Sequence, residues 1–137
     1  MTFTLASFVF QITSCKKASA QITTNPTYPI QGLWVGTYTV DGQVSLGEQY
    51  FSFIIKPDGT IVADTKGGTQ QHLSTGTYTL VGNTLNCSFT CVYGYQSNIG
   101  VTETSSATWD KAGILLGNWK NTPPDSGSGN LKLTRVN

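Results

Sequence analysis

Residues 84 to 93 alternate without a break: Leu85, Cys87, Phe89, Cys91 and Tyr93 fall on one side of an extended chain, Asn86, Ser88 and Thr90 on the other. A helix would scatter these residues around its circumference, whereas a strand with one buried and one wet face sorts them. The same period of two recurs along the chain. Gly32 to Val40 sets Trp34, Gly36, Tyr38 and Val40 against Val35, Thr37 and Thr39. Glu48 to Lys56 turns Phe51, Phe53 and Ile55 one way, and Thr60 to Lys66 follows. Thr75 to Val81 does the same with Gly76, Tyr78 and Leu80, and Ile99 to Asp110 with Val101, Glu103, Ser105, Ala107 and Trp109. Ile114 to Asn121 and Asn130 to Val136 complete the series, the last with Leu131, Leu133 and Arg135 on one face. No helical period follows residue 31.

The connections sort these strands in space. Pro57-Asp58-Gly59, Gly82-Asn83 and Lys111-Ala112-Gly113 carry tight-turn chemistry, Pro presetting φ and Gly or Asn supplying φ > 0. Asp41 to Gly47, Gly67 to Ser74, Gly94 to Asn98 and Thr122 to Gly129 read as longer, polar loops. In an up-and-down meander alternate connections share an end, so the tight turns gather at one end and the long loops at the other. The expectation is an all-β fold, an eight-stranded antiparallel up-and-down β-barrel pinched at one end and open at the other.

Composition narrows the function. Charged residues are 11% of the chain and the net charge is +1, which gives no field to steer phosphate, so no nucleic-acid partner is expected. His72 is the single histidine, which argues against a multi-histidine metal site and against a catalytic triad. Most carboxylates fall in turns (Asp41, Asp58, Asp110, Asp125), but the parity of Glu103 points it inward. A lone inward carboxylate offers no paired acid–base chemistry. No catalytic residue, metal or cofactor is assigned. Cys87 and Cys91 share a face about 13 Å apart along a strand, too far for a disulfide, and are expected as buried thiols.

The third cysteine stands apart. Thr2 to Ile12 is a mostly apolar run of signal-peptide length, and Ile12-Thr13-Ser14-Cys15 resembles the bacterial lipobox, in which the cysteine is lipidated before cleavage. The resemblance implies a lipoprotein-type signal peptide over residues 1–14 and a lipidated Cys15 with a flexible tether over 15–31, carrying Pro26 and Pro29. The barrel domain then occupies 32–137. Such a chain would sit in the bacterial cell envelope, anchored by its lipid to the outer membrane.

Gly32-Leu33-Trp34 at the start of the first strand resembles the Gly-x-Trp signature of the lipocalin and wider calycin superfamily. In that family the Trp plugs the closed end of the barrel and a basic residue near the end of the last strand lies over the indole. Arg135 matches that position, so Gly32, Trp34 and Arg135 are implied to close the barrel. Avidin-type barrels open with the same motif, but their set of tryptophans, hydroxyls and amides is not found here, and biotin is not expected.

The resemblance implies a non-enzymatic, monomeric carrier of a small, partly apolar ligand at the open end. Tyr38, Phe51, His72, Tyr93 and Glu103 are the ligand-binding candidates. The alternative is a barrel plugged by its own aromatics that serves as a surface protein-interaction module. An open cavity of a few hundred Å³ separates the first from the second.

Overall fold

The alternating segments pair edge to edge until the sheet meets itself. The computed structural model describes residues 29–137, in which eight strands follow one another. They are β1 (Gly32–Tyr38), β2 (Gln49–Ile55), β3 (Thr60–Gly67), β4 (Gln70–Val81), β5 (Thr84–Tyr93), β6 (Thr102–Trp109), β7 (Ile114–Asn121) and β8 (Ser128–Arg135). Each is antiparallel to the next, and β8 pairs with β1, closing the barrel. The expected signal peptide, Cys15 and most of the tether lie outside the described residues.

The predicted faces are the observed ones except at Tyr93. Thr75, Thr90 and Thr102 lie side by side on the outer face of β4, β5 and β6, and the Thr90 and Thr102 hydroxyls hydrogen-bond at 3.0 Å. Inside, Trp34, Phe53, Leu85, Leu115 and Leu133 are fully buried and fill the half of the barrel nearer the tight turns. Each contributes roughly 1.5–3 kcal/mol of apolar burial.

Three glycines set the curvature. A Cβ at Gly36, Gly76 or Gly117 would stand 2.0–2.1 Å from a backbone carbonyl oxygen of the neighbouring strand, that of Lys132, Ser88 or Ser106. Bare backbone at these points lets adjacent strands fold sharply inward.

The end of the barrel that carries the tight turns is sealed around Trp34, and the seal begins before residue 32. Trp34 and Arg135 are cross-strand partners, and the Arg135 guanidinium lies over Gly32, where a Cβ would come within 3.1 Å of it. The Trp34 indole N–H donates to the Ile30 carbonyl at 2.8 Å, and Arg135 Nη1 donates to the Pro29 carbonyl. Ile30, assigned from sequence to the tether, is 3% exposed and packs into the core cluster. The plug therefore includes the last residues before β1. The turns here are tied by carboxylates: Asp110 Oδ1 accepts the backbone N–H groups of Ala112, Gly113 and Ile114, each at 2.8 Å.

The mouth differs from expectation in one connection. β3 and β4 stay paired as far as Gly67 and Gln70, so Gly68 and Thr69 alone make the turn, and residues 70–74 are strand. Three longer connections frame the opening instead of four: 39–48, 94–101 and 122–127.

Candidate functional site

Above the packed half, the inward side chains stop meeting and leave a cavity of about 430 Å³. Aromatic rings form its lower wall. Tyr38 meets Phe51 edge-on at 5.8 Å between centroids and Trp119 at 5.7 Å, and Phe53 joins Phe51 to Phe89 from below. The Trp119 indole N–H donates to the Thr39 carbonyl at 3.0 Å, which fixes the ring between β7 and the end of β1.

Polar groups stand higher. Thr65, His72, Ser74, Glu103 and Asn121 line the walls from β3, β4, β6 and β7, and Ser97, Asn98, Asp125 and Ser126 reach in from the loops. Asn98 Nδ2 lies 3.0 Å from His72 Nε2. The two side chains are hydrogen-bonded, which ties the 94–101 loop to β4. The 94–101 loop can lean this far across because Gly94 has no side chain: a Cβ there would stand 2.3 Å from His72 Cδ2.

Glu103 is the unusual member. Its strand neighbours are Phe89 on one side and Asn121 on the other, and its carboxylate has no hydrogen-bond or ion-pair partner among the described residues. Burial alone pushes its pKa up to about 8. The Tyr38 hydroxyl is raised as well, first by its own burial and then by the Glu103 charge. Deeper in the wall, burial pushes the Cys87 thiol up to about 12, and both Cys87 and Cys91 are free and buried.

Of the residues singled out from sequence, Tyr38, Phe51, His72 and Glu103 meet in this cavity. Tyr93 does not. Ser74 pairs with Cys91 but Leu73 pairs with Tyr93, so Val92 is an extra residue on β5; this bulge reverses the parity and leaves Tyr93 65% exposed on the outer face. His72, expected in a loop, is a strand residue directed inward. Phe89 was legible as an inward residue by parity but not as a cavity wall, and Trp119 stands in a segment whose faces the sequence left open. Asn98 carried no signal at all, since its role depends on how a loop folds over.

A closed meander with one sealed end and one cavity-bearing end defines the architecture. No protein-family model matches the chain, and no curated protein and no solved structure matches it either.

Proposed function

We propose that this chain is a lipid-anchored, lipocalin-like binding protein without catalytic activity, holding a small, partly apolar ligand at the open end of its barrel. The observation that carries the reading is the cavity. At about 430 Å³ it has the size of small-molecule sites, with an aromatic lower wall and a few polar groups above it, the usual division between affinity and orientation. Trp34, Gly32 and Arg135 at the sealed end support the calycin likeness. Carboxyl, imidazole and hydroxyl groups dispersed around the walls suit recognition rather than turnover.

Native mass spectrometry of protein purified from its own host tests the reading, because a retained molecule is weighed directly. Repeated recovery of the bare chain, with no quenching of Trp119 fluorescence by apolar probes, would defeat it. The anchor is tested separately: Cys15→Ala should move the protein from the membrane fraction to the soluble one.

The second reading, an interaction module, draws on the same end of the barrel. Val44 is 93% exposed in the 39–48 loop, and Tyr95 and Ile99 are exposed in the 94–101 loop. A partner docking there would cover the cavity, so a pull-down abolished by Val44→Asp but indifferent to cavity variants would favour it.

A further inference from the structure

We propose that the ligand is a small organic amine, its ammonium group seated on the Glu103 carboxylate and its apolar body against Tyr38, Phe51 and Trp119. This inference rests on the binding reading above and names the ligand's chemistry. Among the described residues that line the cavity there is no Lys or Arg, while Glu103 and Asp125 are both acidic. An anionic ligand would therefore find no counter-charge. The remaining basic group, His72, has its Nε2 engaged by the Asn98 amide.

The rings add to this. Tyr38, Phe51 and Trp119 meet edge to face rather than stacked, and a cation that reaches the face of such a ring is attracted to it. A hydrated metal ion would need several oxygen ligands gathered together, and no group of three or more His, Cys, Asp or Glu side chains among the described residues supplies them. An alkyl- or arylalkylammonium needs only one carboxylate and an apolar bed.

Glu103 itself is otherwise hard to explain. A half-buried carboxyl without a protein partner costs stability when it ionises, and no hydrogen bond made by it holds any strand in place. A ligand ammonium gives it the missing partner. The proton balance follows from its raised pKa: in the empty barrel Glu103 keeps its proton at neutral pH, and the arriving R–NH₃⁺ displaces that proton to solvent as the ion pair forms. The titratable groups around it are Tyr38 on β1, His72 on β4, Cys87 and Cys91 on β5, and Asp125 in the 122–127 loop; β2, β3 and β7 present only Phe51, Thr65, Trp119 and Asn121.

Calorimetric titration with phenethylamine, phenethyl alcohol and hydrocinnamate tests the inference, since the three share a body and differ in head-group charge. The amine should bind about tenfold or more tighter than the alcohol, as a charge-assisted hydrogen bond would give, and the carboxylate weakest. Glu103→Gln should abolish the preference for the amine over the alcohol. In the wild type, the binding heat of the amine should vary with the buffer's ionisation enthalpy as one proton is released, and that of the alcohol should not. Equal binding of alcohol and amine, tightest binding of hydrocinnamate, or a preference surviving Glu103→Gln would overturn the amine while leaving the cavity a binding site. Failure of all three to bind would overturn both.

Discussion

Replacing Glu103 by glutamine should make the ligand-free barrel more stable, and increasingly so as the pH rises. With its pKa at about 8 in the folded chain against 4.5 as the ordinary value, the carboxyl holds its proton more tightly when folded. Below pH 4.5 both folded and unfolded chains carry that proton and the group has no pH-dependent effect. Between 4.5 and about 8 the unfolded chain ionises freely while the folded chain does not, so stability falls with pH; above about 8 the loss levels off. Each pH unit in that window is worth about 1.4 kcal/mol. By about pH 7, and allowing for water reaching the carboxyl through the open mouth, the native state should have lost roughly 2–3 kcal/mol, a large share of a typical domain's 5–15 kcal/mol. Urea denaturation of both proteins across this range isolates the effect, because every other titrating group cancels in the difference. The unpartnered glutamine amide adds an offset, so the trend with pH is the quantity to read. A difference constant within about 0.5 kcal/mol would mean that Glu103 is fully solvated or turned out of the barrel, and the reasoning about its environment would fail.

Trp34→Ala, by emptying the fully buried plug, should cost roughly 3–5 kcal/mol in chemical denaturation. Its loss should be non-additive with that of Arg135→Ala, as for side chains in contact; independent effects would mean that the two do not share the closure. Gly76→Ala should destabilise by about 1–3 kcal/mol or more, since its Cβ would stand 2.0 Å from the Ser88 carbonyl oxygen; an unchanged melting temperature would show that the strands can part there. Cys87 and Cys91 should react slowly with thiol reagents in the native protein and rapidly after unfolding; fast native labelling would contradict their burial.

The order, number and inward faces of the strands were legible because most inward positions face a packed core, where period two is enforced by burial. Legibility faded where that pressure faded. Residues 70 to 74 read as a polar loop because the inward members of this stretch, His72 and Ser74, face the cavity instead of the core. The polarity that hid the strand is the property that makes the site. Tyr93 was misplaced for a different reason: the extra residue Val92 leaves no mark in composition, and the parity of every residue beyond a bulge depends on it. Glu103 was legible as inward because Ala107 and Trp109, apolar residues of the same parity, fix the face of its strand. Ile30 lay outside any alternating segment, and nothing in sequence joined it to Trp34.

The pairing of β1 with β8 means that the sheet has no first or last strand. An open sheet unravels from its margins, where a strand is held on one side only; here every strand is held on both. Losing any strand would create two raw edges at once, so the chain should melt as one unit, with the slowest amide protons distributed around the whole girth instead of gathered in a central ribbon. It also makes the position of the chain's ends a matter of convenience. Val136 donates its N–H to the Leu33 carbonyl at 2.9 Å, so in a barrel trimmed to residues 29–137 a short linker could join Val136 to the start of β1 and new ends could open at Gly68 and Thr69. The permuted chain would trace the same ring from a different starting point.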